Sequence, residues 1–259
     1  MAFSIAVAGK GGSGKTTIAS LVIRYLLKSG RGPILAVDAD PNANLADSLG
    51  LTVKETIGSI IAAFNDEKLK IPPGMTKEAY LEYRLNQAIV EDRQLDLIAM
   101  GRGEGPDCYC YPNLVLRNFI DSLAANYAYV VMDNEAGLEH LSRRTTRNVD
   151  ELLMVSNHTV KGIRTLVQVA DIATQLKLGV GRSSVIINLT PPEVSPAVTA
   201  ELARLKMEPE AFVPLDEAVG EYDLALRPLL ELPDDSPAVS RVNELMDELI
   251  KEDTAARRR

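Results

Sequence analysis

Short, nearly continuous apolar runs alternate with segments of helical periodicity along most of the chain. Seven such runs predict strands, at Phe3–Ala8, Ile34–Val37, Leu95–Met100, Tyr129–Met132, Glu151–Val155, Val185–Leu189 and Ala211–Val213. Helical spacing predicts helices at Thr16–Leu27, Asn113–Ala125, Val160–Leu178 and Ser236–Ile250. Strands that are apolar on both sides must be covered on both faces, as in the parallel sheets of α/β proteins. We therefore expect an α/β fold with a mostly parallel sheet of about seven strands.

One domain accounts for residues 1–259, because no linker-like stretch or internal repeat divides them. The segment 65–91 interrupts the alternation. It is polar and contains Pro72, Pro73 and Gly74, and we expect it to form a surface helical insertion. Residues 254–259 end in a run of arginine and are expected to be a frayed, solvated tail.

The first predicted strand leads into a glycine-rich loop, Gly9–Thr17 (GKGGSGKTT), and a predicted helix follows at once. The loop meets the pattern G-x-x-x-x-G-K-[ST]. Its glycines let backbone N–H groups face a phosphate, and the helix N-terminus adds partial positive charge. Lys15 would neutralise the β- and γ-phosphates, and the Thr16 hydroxyl would bind Mg²⁺. The motif predicts a P-loop NTPase whose ATP contacts come from Gly11, Gly12, Ser13, Gly14, Lys15, Thr16 and Thr17.

Three aspartates follow predicted strands. Asp38 and Asp40 come at the end of the second strand, and Asp133 comes at the end of the fourth. Ligands collect at the carboxyl ends of strands in open parallel sheets, so Asp38 and Asp40 are expected to face the phosphate loop. An aspartate directly after an apolar strand holds Mg²⁺ in P-loop enzymes, which predicts that role for Asp133.

Cys108 and Cys110 are the two cysteines of the chain, and a single residue separates them. A disulfide over this spacing would be strained, whereas extended backbone puts residues i and i+2 on one side, about 6.5–7 Å apart. Two thiolates leave a metal site incomplete, but a two-fold dimer supplies four, which suits tetrahedral zinc or square-planar nickel. The pair predicts a nickel or zinc site at the axis of a homodimer, with two inert loop thiols as the alternative.

Charge and hydropathy exclude two classes of partner. The net charge of −8 and the pI of about 5.0 argue against non-specific binding of nucleic acid, which requires many phosphate-neutralising lysines and arginines. No apolar run approaches the roughly 18 residues that span a bilayer, and the N-terminus lacks a signal-peptide pattern. We therefore expect a cytoplasmic protein with neither a nucleic-acid nor a membrane partner.

With Lys10, the loop reads K-G-G-x-G-K-T, which resembles the deviant Walker A motif of the superfamily of MinD, ParA and the nitrogenase iron protein. The resemblance implies that Lys10 reaches the partner's nucleotide across a dimer. It implies that Asp40, in the first switch (DADPN), orients or deprotonates the attacking water, so that Lys10, Lys15 and Asp40 are the catalytic residues. It further implies a second switch at DNEAG, where Gly137 approaches the γ-phosphate. For the adenine site it implies contacts from Asn188 and Pro214.

Together, the phosphate loop, DADPN, GPDCYCYPN and MDNEAGLEHLSR resemble the CooC and AcsF family of nickel-insertion ATPases, which mature carbon monoxide dehydrogenase and acetyl-CoA synthase. The resemblance implies a homodimeric metallochaperone that binds ATP and Mg²⁺, holds nickel (or zinc) on Cys108 and Cys110, and releases nickel to its client on hydrolysis.

Three alternatives compete with this interpretation. A positioning ATPase of the MinD or ParA kind would share the loop and both switches, but it should carry a membrane-seeking terminal helix or a basic face. The apolar positions of the last predicted helix look instead like core positions. An iron–sulfur reductase would hold a cluster on the same four thiolates. A scaffold that only binds nucleotide would not need Asp40 and Asp133.

Overall fold

The computed structural model describes residues 2–40, 42–67, 71–101, 118–134 and 148–256. Its strands are β1 (Phe3–Gly9), β2 (Ile34–Asp38), β3 (Val90–Asp92), β4 (Leu95–Ala99), β5 (Tyr129–Asp133), β6 (Asn148–Asn157), β7 (Gly179–Thr190) and β8 (Ala211–Pro214). Its helices are α1 (Lys15–Lys28), α2 (Asn44–Leu49), α3 (Ile57–Glu67), α4 (Lys77–Gln87), α5 (118–124), α6 (Val160–Gln175), α7 (Pro196–Leu205), α8 (Glu217–Leu224) and α9 (Pro237–Ala256). The predicted α/β fold is confirmed, with eight strands in the described residues instead of about seven.

The eight strands form one sheet in the order β3-β4-β2-β5-β1-β6-β7-β8. Neighbouring strands are parallel except for β3 and β4. In the centre of the sheet, Asp133 of β5 pairs with Asp38 of β2 on one side and with Val7 of β1 on the other. Because parallel strands end at the same edge, this register brings the phosphate loop and the aspartates that follow strands to one edge of the sheet.

The edge strand β3 is the strand that the sequence pattern did not predict. Its three residues, Val90–Asp92, contain one apolar side chain, and short charged strands are typical of sheet edges. It begins within the segment 65–91, for which we predicted only helical structure. The helix α4 lies in that segment. Its Tyr80, Leu81 and Leu85 are buried in the core, so one face of the segment packs against the sheet and the other faces solvent.

Two apolar clusters cover the two faces of the sheet. Along β1, Ile5 and Val7 point into one cluster, and Ala6 and Ala8 point into the other, as the alternation of side chains along a strand requires. The cluster of Ile5 and Val7 includes residues of α1, α2 and α9. The cluster of Ala6 and Ala8 includes residues of α3, α4, α5, α6 and α7. Helices therefore lie on both faces, which explains why the strand sequences are apolar throughout.

The helix α9 is a core helix. It packs against α1 and β8, and its buried side chains are those of Val239, Val242, Leu245, Met246, Leu249 and Ile250. These apolar positions are used inside the protein, as the spacing predicted. Among the described residues, no helix has both the length and the apolar character that crossing a membrane requires. Residues 257–259 of the predicted tail lie outside the described part of the chain.

Candidate nucleotide-binding site

The phosphate loop connects β1 directly to α1. Gly12 and Gly14 have φ angles of 76° and 83°, in the left-handed region that glycine adopts without a steric penalty. A Cβ at Gly14 would lie 2.2 Å from Nδ2 of Asn188, and a Cβ at Gly9 would lie 2.0 Å from the carbonyl oxygen of Val155. Because β6 and β7 pack so closely against the loop, there is no room for a side chain at Gly9 or at Gly14.

The two lysines of the loop differ in environment. Lys15 is 7% exposed, and its Nζ donates to the carbonyl oxygen of Lys10 at 3.5 Å, so its ammonium group lies over the loop itself. The side chain of Lys10 is exposed to solvent. Lys15 is therefore available to a nucleotide in its own loop, and Lys10 is available to a molecule outside it. Ser13 is buried, and its hydroxyl has no hydrogen-bond partner among the described residues.

Thr16 and Asp133 meet at the start of α1. The Thr16 hydroxyl donates to Oδ2 of Asp133 at 2.6 Å. The Oδ1 atom of Asp133 is buried and has no hydrogen-bond partner within the described part of the chain. Burial raises the pKa of Asp133 to about 6, against the opposing effects of the Thr16 hydroxyl and the Lys15 ammonium. A buried carboxylate oxygen without a partner, beside a hydroxyl, fits the oxygen ligands that Mg²⁺ prefers.

Asp38 and Asp40 have separate roles in the loop after β2. Asp38 is fully buried, and its carboxylate accepts from the backbone N–H groups of Asp40 at 3.1 Å and Leu45 at 2.9 Å. Burial, with a smaller contribution from the charge of Asp133, raises the pKa of Asp38 to about 7. Asp40 is half-buried, and its Oδ1 accepts from the N–H group of Asn42 at 2.8 Å. Asp38 therefore holds the loop in place, whereas the carboxylate of Asp40 is partly open to solvent.

A cavity of about 540 Å³ lies beside the first turn of α1, within the range of small-molecule sites. Two residues predicted to contact adenine, Asn188 and Pro214, line it, together with Thr16 and Thr17. Asn188 also anchors the phosphate loop, because its Nδ2 donates to the carbonyl oxygen of Ser13 at 3.0 Å. The other lining residues are Asn44, Asp47, Ser48, Leu189, Val213, Leu215, Asp216, Val219, Gly220, Asp223, Leu226, Arg227, Leu229 and Ala238.

Two residues that shape this cavity make contacts that the sequence analysis did not predict. Asp216 accepts from the N–H groups of Ala218 and Ala238, both at 3.0 Å, and from the Ser236 hydroxyl, so it caps α8 and joins α8 to the start of α9. Burial acts to raise the pKa of Asp216, but these hydrogen bonds outweigh it and lower the pKa. An aspartate directly before a helical run is a capping signal that the sequence contained.

The second residue is Arg227, whose guanidinium carbon lies 4.0 Å from the ring centroid of Tyr222. This stacking holds the planar cation of Arg227, one of the residues that line the cavity. Arg227 lies five residues after Tyr222, and its N–H group donates to the carbonyl oxygen of Tyr222 at 2.9 Å, so the contact forms in the turn that ends α8.

Several predicted site residues lie outside the described residues: Gly137 of the second switch, and Cys108 and Cys110. Their roles stay predictions. Among the residues that the structure does describe, no group of three or more His, Cys, Asp or Glu side chains is arranged to hold a metal ion.

A strand, a phosphate loop and a helix, with buried aspartates beside the loop and a cavity next to it, define a P-loop ATPase. The family described as AAA domain (AAA_31) matches residues 3–178. The chain belongs to this family, and its ligands are ATP and Mg²⁺.

The chain is also similar to two curated proteins in sequence and to one solved structure in fold. It is 39% identical over 248 residues to the uncharacterized ATP-binding protein MJ0685 of Methanocaldococcus jannaschii, covering 95% of this chain and 98% of that protein. It is 30% identical over 183 residues to the carbon monoxide dehydrogenase accessory protein CooC of Rhodospirillum rubrum, covering 66% of this chain and 69% of that protein. The septum site-determining protein MinD of Pyrococcus horikoshii, solved with Mg-ADP, superposes with a TM-score of 0.69 at 22% identity, covering 96% of both chains. This last similarity shows a common fold.

Proposed function

We propose that the chain is a cytoplasmic, homodimeric ATPase that binds nickel between its two copies and delivers it to carbon monoxide dehydrogenase or acetyl-CoA synthase. The observation that carries the proposal is the pair Cys108 and Cys110 in a chain similar to CooC of Rhodospirillum rubrum, a carbon monoxide dehydrogenase accessory protein. Nickel is the cargo in this proposal, and zinc is a competing ion because both accept thiolate ligands.

The described residues support ATP hydrolysis at each phosphate loop. The loop N–H groups and Lys15 would bind the phosphates, and Thr16 with the unpaired oxygen of Asp133 would hold Mg²⁺. When bound, that ion supplies positive charge that offsets the charge developing on the phosphates. Asp40 lies after β2 with a half-buried carboxylate, and it would orient the attacking water and accept its proton.

The exposed side chain of Lys10 supports dimerisation on ATP. It lies in the phosphate loop but points to solvent, whereas Lys15 is buried, so Lys10 is free to approach the nucleotide of a second copy. ATP promotes closure only if it binds the closed dimer more tightly than the open one. Closure would bring four thiolates to one axis, since each copy contributes two. Hydrolysis would then favour the open form and release the ion.

The direct test measures bound nickel by equilibrium dialysis and elemental analysis, with and without a non-hydrolysable ATP analogue. The native chain is compared with Cys108→Ser and with Tyr109→Phe, a control that changes the same tripeptide and keeps both thiols. We expect nickel binding to rise with the analogue in the native chain and in Tyr109→Phe, and to be lost in Cys108→Ser. Equal nickel in Cys108→Ser and the native chain contradicts the proposal.

Two further measurements separate the alternatives. An iron–sulfur reductase purified without oxygen is brown and absorbs in the visible range, and a nickel or zinc protein of this kind is not. A positioning ATPase of the MinD kind would sediment with anionic vesicles in the presence of ATP. The burial of the apolar face of α9 disfavours that second result, because this face is already packed inside the protein and is not available for insertion.

A further inference from the structure

The loop that carries Asp40 leads into α2, and Asp38 joins the two. One carboxylate oxygen of Asp38 accepts from the N–H group of Asp40, and the other accepts from that of Leu45 in the first turn of α2. Asp38 is fully buried, so water does not replace these bonds if they break. The N–H group of Ala43, the residue before α2, also donates to the carbonyl oxygen of Asp40 at 3.0 Å. The position of Asp40 is therefore tied to the position of α2.

The other end of α2 lies against Pro228, from the last third of the chain. Gly50, the residue after α2, has a φ of 72°, and its N–H group donates to the carbonyl oxygen of Asp47 at 3.0 Å. A Cβ at Gly50 would lie 2.5 Å from Cγ and 3.1 Å from Cβ of Pro228. The buried side chains of Leu49 and Leu229 belong to the same apolar cluster beside this contact. Gly50 and Pro228 therefore leave no room between them for a methyl group.

Pro228 is held from both sides. Before it, the N–H group of Arg227 donates to the carbonyl oxygen of Tyr222 at 2.9 Å, and the Arg227 guanidinium stacks on the Tyr222 ring. After it, Leu229 is buried, and the N–H group of Glu231 donates to the carbonyl oxygen of Pro228 at 3.0 Å in a turn of 3₁₀ helix. Because the proline ring also fixes its own φ, Pro228 is a rigid support for the end of α2.

We propose that Gly50 and Pro228 are positioning residues for ATP hydrolysis. Their contact sets the position of α2 and, through Asp38, that of the Asp40 carboxylate. The six residues of α2 span only about 9 Å, so a displacement at one end reaches the other. Neither Gly50 nor Pro228 is among the described residues that line the cavity. The proposal rests on the proposed function in one respect, the role of Asp40 in orienting water, and nickel has no part in it.

The test is Gly50→Ala, which forces α2 and Pro228 apart by about 1 Å, because non-bonded carbon atoms approach to about 3.5 Å. Phosphate release gives kcat and KM for ATP, and fluorescence titration gives the Kd of a non-hydrolysable ATP analogue. We expect kcat to fall about 10- to 100-fold, since a misplacement of about 1 Å costs up to about 100-fold in rate. The Kd should change by no more than about threefold, because the phosphate loop stays in place.

Two variants separate the contact from backbone strain. Gly30 has a φ of 65° and open space where a Cβ would lie, so Gly30→Ala imposes similar strain elsewhere and should keep the native kcat. Pro228→Ala removes Cγ, the atom closest to the new methyl group, so adding it to Gly50→Ala should restore part of the lost kcat. Pro228→Ala alone removes the support without a clash, and it should lower kcat less than Gly50→Ala does.

A third comparison asks whether the contact acts through Asp40. In an Asp40→Asn background, measured in single turnovers, Gly50→Ala should cause little further loss, because the group that it displaces no longer orients water. A general loss of folded structure would instead lower the rate in both backgrounds alike. Urea unfolding confirms that each variant is folded under the assay conditions. If Gly50→Ala does not fold, Pro228→Ala in both backgrounds provides the same comparison.

The positioning role is refuted by a native kcat in Gly50→Ala and Pro228→Ala, by an equal loss in Gly30→Ala, or by an undiminished loss in the Asp40→Asn background. A double variant no faster than Gly50→Ala also contradicts it. If Asp40→Asn is slow but Gly50→Ala is not, this inference alone fails. If Asp40→Asn itself hydrolyses ATP at the native rate, the role of Asp40 in the proposed function fails, and this inference fails with it.

Discussion

Replacing Gly14 by alanine tests the packing of the phosphate loop against β7. The φ of 83° costs an alanine about 1–2 kcal/mol. In addition, the new Cβ would lie 2.2 Å from Nδ2 of Asn188, so this amide has to leave the Ser13 carbonyl oxygen that it contacts at 3.0 Å. A lost hydrogen bond of this kind costs about 0.5–1.5 kcal/mol. We therefore expect Gly14→Ala to lower the free energy of unfolding of the nucleotide-free protein by about 1.5–3.5 kcal/mol.

The assay is urea unfolding, followed by circular dichroism, with the midpoint compared at unchanged slope. Gly12→Ala is the control, because its φ is 76° and a Cβ there meets nothing within 4 Å, so it should cost only about 1–2 kcal/mol. In an Asn188→Ala background the clash disappears, and Gly14→Ala should cost no more than Gly12→Ala. Equal costs for Gly14→Ala and Gly12→Ala in the native background, or an undiminished cost with Asn188→Ala, would refute the reasoning.

Three further predictions concern the aspartates. Asp40→Asn should reduce the rate of ATP hydrolysis at least about 100-fold with ATP binding retained, as expected when a group that positions water is lost, and an undiminished rate removes Asp40 from this role. The nucleotide-free protein should lose stability as the pH rises from about 4 to about 7, because folded Asp38, with its pKa raised from 3.8 to about 7, retains a proton that the unfolded chain has released. That shift sets an upper limit of about 4 kcal/mol, and urea unfolding of Asp38→Asn at pH 5 and pH 8 should show a smaller difference than the native chain. Asp216→Ala should lower the free energy of unfolding by about 1–2 kcal/mol through the lost cap of α8, and Asp216→Asn, which keeps one acceptor, should lower it less in a thermal melt.

The sequence predicted the parts of the fold that local pattern determines. The centres of β6 and β7 were predicted because they are continuously buried. Their first residues were not, because burial there alternates and the strands extend beyond the apolar run. The three residues of β3 carry no strand pattern at all, since an edge strand of that length needs little burial. The short helix α2 was not predicted, because the residues around its start are of types common in turns.

The residues of the candidate site also separate into those that the sequence predicted and those that only the structure shows. Asp38 and Asp133 could be placed beside the phosphate loop because each directly follows a strand of a parallel sheet, and the register pairs them. Arg227 was not predicted, because its contact with Tyr222 forms in the turn that ends α8, and the sequence analysis predicted neither that helix nor its end. Asn188 was predicted as a contact for adenine, but its bond to Ser13, a packing role, follows only from the three-dimensional structure.

The cavity beside the loop has a consequence for how such a protein diversifies. The residues matched by the AAA family end at 178, whereas most of the cavity wall, from Asn188 to Ala238, comes from later in the chain. Most residues that line the cavity are thus encoded apart from the phosphate loop, although Asn188 contacts the loop through the Ser13 carbonyl oxygen. Mutations in the last third can therefore change the shape and lining of the cavity and leave the residues of the phosphate loop, Asp38 and Asp133 as they are.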